Sequence, residues 1–327
     1  MALAAVLAGL TAGCGHASTS SAPAASPSAS TATAGRPAPA KPAASSPAAG
    51  RQAEGRPTAK ATASAPTVAL GVYTPGEDGS WAAVASFGQQ AGQPVKYVVD
   101  YLGPHDPFPA QLAQQAAASG AELVLQLEPT MSMASVAAGA DDSYLDSLAA
   151  QVGDFGAPII LSWAAEANGN WYEYGWTQTP VADYQAAWAH VMSRFRGDHN
   201  VTWMDTLNRW YTGAGPTSQY VVPGVGLIGI DAYYDYANDT FNSVFGATLS
   251  QIRAVTDKPI LVNETGIGQV NNQVSAIPGL VQGVIDQHLA GLIYFNENQG
   301  TTDPYHENWA LTTAGMTALR DSLASAR

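Results

Sequence analysis

The sequence predicts an α/β protein, a (β/α)8 or TIM barrel, preceded by a disordered tail rich in Ala, Ser, Pro and Thr. Three observations predict it. From Val68 onward, short apolar runs of strand character alternate with longer segments of helical period, the pattern of a parallel sheet. Eight such runs fall within a stretch of about 250 residues, the size of a closed barrel. An open doubly wound sheet is the alternative, but no GxGxxG follows a strand to support it.

Along the chain, Met1–Leu10 is a short apolar run followed by Thr11-Ala12-Gly13-Cys14. Small residues before a lone cysteine resemble a bacterial lipoprotein signal over 1–14, in which Cys14 is lipidated and becomes the new N-terminus. An ordinary secretory signal cleaved near Ala17 is the alternative. Both place the protein outside the cell, secreted or lipid-anchored at a bacterial surface. Residues 15–66 contain no Leu, Ile, Phe, Trp or Tyr. Such a linker cannot bury enough apolar surface to offset its chain entropy, and its prolines stiffen it.

The domain at 67–327 follows. Its predicted strands are Val68–Pro75, Val95–Leu102, Glu122–Pro129, Pro158–Glu166, Val201–Asn208, Gly226–Tyr234, Pro259–Ile267 and Leu289–Asn298. Most are apolar on both faces, as strands covered by helices are. Between and after them, helical period predicts Ala110–Ser119, Asp142–Phe155, Asp183–Arg196, Phe241–Val255, Gly279–Gln287 and Thr313–Ala326, with Trp81 at the start of the first helix.

Charge narrows the function classes. Residues 1–66 hold five bases and one acid, a net of +4; residues 67–327 hold 8 bases and 25 acids, a net of −17. A domain so acidic repels nucleic acid and anionic membrane. One cysteine excludes a disulfide framework and a cysteine-based zinc site, and the six histidines form no HExxH, so no metal or other cofactor is expected. No stripe of exposed apolar residues suggests an interface, so a monomer is the default. Asp141, Asp142 and Asp146 read as a solvated helix start rather than a cation site.

In such a barrel the active site lies at the C-terminal ends of the strands. Those ends read Tyr73, Asp100-Tyr101, Glu128, Glu166, Asn208, Asp231 with Tyr233, Glu264, and Asn296-Glu297-Asn298. A ring of acids, amides and tyrosines suits a ligand rich in hydroxyls, and lacks the Arg, Lys or glycine cradle that a phosphate needs. Glu166 on the fourth strand and Glu264 on the seventh face each other across the mouth. Glycoside hydrolysis needs such a pair: one carboxyl protonated for the leaving oxygen, one ionised to attack the sugar carbon. A separation of about 5–5.5 Å gives retention. The loop after Glu166 carries Asn168 and then Trp171, Tyr172, Tyr174 and Trp176, flat rings that can stack on sugar faces beside amides that bind hydroxyls.

The string Ala165-Glu166-Ala167-Asn168-Gly169-Asn170-Trp171-Tyr172 resembles the acid/base loop of glycoside hydrolase family 26, the β-mannanase family of the large retaining barrel clan. Leu70-Gly71-Val72-Tyr73, Val201 to Asn208, Ile228 to Tyr233, Lys258 to Gly266, and Phe295 to Trp309 resemble further family segments in the same order. The resemblance covers about residues 68–320. It implies a retaining endo-β-glycanase with Glu166 as acid/base, Glu264 as nucleophile, Tyr233 orienting the nucleophile, and Trp171 and Trp309 shaping sugar subsites. Asn208, Asp231 and Asn296 at strand ends complete the expected binding set. The implied substrate is β-1,4-mannan, with β-1,3-1,4-glucan or β-1,3-xylan as alternatives. Two positions depart from the family. Ser162 and Ala165 stand where it has Arg and His, and His105, Asn208 and Asn296 are candidates to replace that His. Ala165 also leaves open a catalytically silent polysaccharide-binding barrel.

Overall fold

The computed structural model describes residues 68–75, 81–129, 131–211, 213–268, 272–299 and 308–326. The signal-like segment with Cys14 and the 15–66 linker lie outside the described residues.

Eight strands alternate with helices along the chain, with two helices in succession between the third and fourth strands. The strands are β1 (Leu70–Tyr73), β2 (Tyr97–Leu102), β3 (Glu122–Leu127), β4 (Ile159–Trp163), β5 (Val201–Asn208), β6 (Leu227–Asp231), β7 (Ile260–Thr265) and β8 (Gly291–Phe295). Each pairs in parallel with the next, and β8 returns to β1, closing the barrel. The helices are α1 (Ala82–Ala91), α2 (Ala110–Ala118), α3 (Met133–Ala137), α4 (Asp142–Phe155), α5 (Val181–Arg194), α6 (Thr217–Tyr220), α7 (Phe241–Arg253), α8 (Gln273–Asp286) and α9 (Thr313–Ser325). The expected (β/α)8 barrel is therefore the fold. Trp81 is the residue that opens α1, while the short α3 and α6 had no strong period to announce them. Helix α8 starts at Gln273, ahead of Pro278, because Asn272 caps it by accepting from the Val274 amide at 3.1 Å.

Strand period 2 builds the interior. One apolar side chain from each of β2 to β8 seals the barrel: Val99, Val124, Ile160, Met204, Leu227, Leu261 and Ile293. Strand β1 contributes Gly71, whose bare Cα leaves room for Ile293 and Tyr97. Two residues further toward the C-terminal mouth, the same inward rows turn polar: Tyr101, Gln126, Ser162, Thr206 and Asn263. A second, larger apolar layer lies between strands and helices, with Leu125, Trp188, Phe245 and Leu280 fully buried in it. The acids at the start of α4 are ion-paired while Asp142 and Asp146 stay in contact with solvent: Asp142 meets His190 at 2.6 Å and Asp146 meets Arg194, both on α5, and Asp141 meets His105 at 2.8 Å.

Candidate active site

Glu264 reaches the mouth through an irregularity in β7. A regular strand sends consecutive residues to opposite faces, yet Asn263 and Glu264 both act inside the barrel. The pairing register of β7 shifts against β6 after Ile230 and against β8 after Val262, which breaks the alternation where Glu264 needs it. Asn263 Nδ2 donates to Asp231 Oδ1 at 2.8 Å. The Glu264 carboxylate accepts from two phenols, Tyr101 Oη on Oε2 and Tyr233 Oη on Oε1.

Glu166 lies beyond the end of β4, not on it. Strand geometry stops at Trp163, and both Ala164 (φ 48°) and Glu166 (φ 60°) are left-handed. Such backbone costs about 1–3 kcal/mol per residue and persists where surrounding structure enforces it. Here the Glu166 amide donates to Thr206 O at 2.8 Å, locking the turn to β5. The side chain is held from two sides: Asn208 Nδ2 donates to Oε1 at 2.5 Å and Trp171 Nε1 to Oε2 at 3.0 Å. Asn208 is itself fixed by Asn168, whose amide exchanges bonds of 2.7 and 2.9 Å with the Asn208 backbone.

These surroundings make the two glutamates unequal. Burial and the nearby Glu264 charge push the Glu166 carboxyl up to about 8, against the opposing hydrogen bonds from Asn208 and Trp171. Burial also raises Glu264, but both phenol bonds favour its ionised form and pull it back. Asp231 is pushed well above the carboxylate range by burial and then by Glu264 and Glu166. A buried acid that stays protonated and a second that two donors keep ionised can transfer a proton and a carboxylate electron pair to one bound molecule.

Aromatic groups frame the pair. Tyr233, Phe295 and Trp309 form a buried cluster on the Glu264 side, with Tyr233 and Trp309 rings 4.4 Å apart. On the other side, Trp171 stacks near Tyr211 at 6.2 Å, and Tyr172 stacks on buried Tyr174 at 4.7 Å. Trp176 packs over Gly215 and the core, so it supports the loop. Asn296 is half-buried and uses its Oδ1 to accept from the Leu311 amide at 2.8 Å. Of the candidates to replace the family histidine, Asn208 alone bonds Glu166; His105 bonds Asp141 and Asn296 holds backbone. Tyr101, Gln126 and Tyr174 line the same cleft with Glu128, Ala165 and Tyr172. The residue reading had Tyr101 only as a strand end. Its inward parity two residues after Val99 was the signal for more.

Fold and site together define a (β/α)8 barrel with two inequivalent glutamates at its C-terminal mouth. Solved structures of that fold include the family 26 β-mannanase of Bacteroides ovatus (TM-score 0.59, 15% identity, 80% of this chain and 89% of that one). The modular endo-β-1,4-mannanase of Cellulomonas fimi matches with TM-score 0.59 at 15% identity, over 79% of this chain and 70% of that one. The catalytic domain of the Bacillus sp. JAMB-750 family 26 endo-β-1,4-mannanase matches with TM-score 0.58 at 15% identity, over 78% and 85%. A curated relative, endoglucanase H of Acetivibrio thermocellus, is 22% identical over 78% of this chain. The chain spans 31% of that relative's length. No family model matches the sequence. The resemblance to family 26 read from the residues thus agrees with the structures that share this fold.

Proposed function

We propose that this protein is a retaining endo-β-glycanase that hydrolyses a plant-type β-glycan, foremost β-1,4-mannan. The observation that carries this reading is the inequality of Glu166 and Glu264. Glu264, ionised under its two phenols, attacks the anomeric carbon. Glu166, protonated near neutral pH, gives its proton to the departing glycosidic oxygen. The bond to the leaving sugar breaks as the bond to Glu264 forms. Esterification removes the Glu264 charge, and with it part of what raised Glu166. The Glu166 pKa falls, so it now accepts a proton from water, which attacks the glycosyl-enzyme and frees Glu264. Two displacements at one carbon retain its configuration.

The named activities of the relatives support mannan first and β-glucan second. Trp171, Tyr172 and Trp309 are assigned to sugar contacts, Asp231 and Asn208 to the cleft floor. A binding-only barrel is the second reading, favoured by Ala165, which offers no hydrogen bond where the family has an imidazole. The same reading takes the protein as a monomer outside the cell, tethered through Cys14.

The test is reducing-sugar release from galactomannan, glucomannan, barley β-glucan and β-1,3-xylan, beside Glu264→Ala. Release on one glycan, abolished in the variant, is expected. No release by folded protein on all four overturns the hydrolase reading.

A further inference from the structure

We propose that Gln126 on β3 and Glu128 just past its end form with Ala165 a hydroxyl-reading wall that selects which sugar sits against the two glutamates. This rests on the glycan reading above and names the part of the site that sets its preference.

Gln126 stands between apolar neighbours in β3, after Leu123, Val124 and Leu125 and before Leu127, and it is 3% exposed. Its Oε1 is buried with no hydrogen-bond partner, an arrangement native proteins rarely leave unexplained. It has no donor to borrow from its neighbours in register. Tyr101, beside it on β2, spends its one hydroxyl proton on Glu264. Ser162, beside it on β4, pairs with Thr206 at 2.8 Å. Gln126 lines the cleft that holds Glu166 and Glu264, so a turn of its carboxamide can bring that acceptor to a donor on a ligand there.

Glu128 continues the same row at the mouth. It is half-buried, its carboxyl accepts no hydrogen bond from the described residues, and burial raises its pKa. Ala165 lines the same cleft and ends at Cβ, so no side chain of its own reaches toward these acceptors. The wall therefore presents a carboxamide and a carboxyl group, without a fixed cation. Sugar hydroxyls are the donors that fit. Sites that bind a hydroxyl discriminate strongly against isomers that misplace it, because the protein acceptor is then left unpaired. Manno- and gluco-configured rings differ in one such hydroxyl.

The experiment compares full-length wild type, Gln126→Leu and Glu128→Gln. Rates are measured on a β-1,4-manno-oligosaccharide and a mixed-linkage gluco-oligosaccharide of equal length, with thermal melts alongside. Both variants are expected to lower kcat/KM on the preferred glycan at least tenfold and to change the manno-to-gluco ratio at least tenfold. Gln126→Leu is expected to melt no lower than wild type, because it removes a buried unpaired acceptor. An unchanged ratio, or equal losses on both glycans with a lowered melting point, overturns the wall in favour of a structural role. If wild type cleaves neither glycan, the mannanase and glucanase readings fail by themselves. Calorimetric titration of the same oligosaccharides then decides the wall: a tenfold loss of affinity in the variants supports it. Equal affinity, or no binding to wild type, overturns it.

Discussion

Tyr101 and Tyr233 each give one proton to Glu264, and Asn208 gives one to Glu166. These bonds act on opposite limbs of a pH–rate profile. Tyr101→Phe removes a donor that favours ionised Glu264, so its pKa rises and the acidic limb moves to higher pH. A loss of about 10–10² in kcat is expected, a fraction of what a full transition-state donor supplies. Asn208→Ala removes a bond that favours ionised Glu166. The pKa of Glu166 then climbs further above 8, and the basic limb moves to higher pH. Profiles of kcat/KM from pH 3 to 10 check both; limbs that stay in place would show that other groups set them. Ala164 and Glu166 also show that the acid's position depends on backbone most residues avoid. No residue type in the Ala-Glu-Ala string announces a left-handed turn.

Between elements, Asp205 ties β5 to its surroundings. It is fully buried, accepting from Tyr184 Oη of α5 at 3.1 Å and from the Val222 amide at 2.8 Å. Burial pushes its carboxyl up to about 7, against those two bonds. Below the ordinary carboxylate range of about 4, folded and unfolded chains both hold the proton. Between about 4 and 7 the unfolded chain has lost it and the folded chain keeps it, so stability falls as pH rises through that window. Asp205→Asn is expected to flatten the fall, read as melting temperatures from pH 4 to 8. A parallel decline in both proteins would assign it to Glu166 and Asp231 instead. Barrel closure offers a second element-level test. A Cβ on Gly71 meets Ile293 Cγ1 at 2.6 Å and Tyr97 O at 2.9 Å. Gly71→Ala is expected to cost about 1–3 kcal/mol in urea unfolding, since the barrel floor and a neighbouring backbone must both give way.

For the molecule as a whole, the acidic balance and the large core belong to the same stretch, 67–327, while 1–66 is basic and without large apolar residues after Leu10. Removing residues 1–66 is therefore expected to leave the calorimetric melting temperature unchanged within about a degree, as a tail without a core adds no buried area. A clear drop would mean that the tail packs on the barrel. Cys14→Ser is expected to move the protein from the membrane fraction to the medium of an expressing bacterium. Unaltered partition would sink the lipid anchor.

The residues by themselves determined the eight-unit order, the apolar floor and the polar mouth, because strand period and helix period are local properties that survive in the string of letters. They also marked Glu166 and Glu264, the members of the ring of strand-end acids that fall on the fourth and seventh of eight units. What only the tertiary structure decided is how unequal the surroundings of the two carboxyls are. That follows from burial and from donors that arrive from other strands: Tyr101 on β2, Asn208 on β5, Tyr233 beyond β6. Tyr101 and Glu264 stand 163 residues apart. A pKa is set by the dielectric and the partners within a few ångströms, and the closed barrel is what brings those partners within reach.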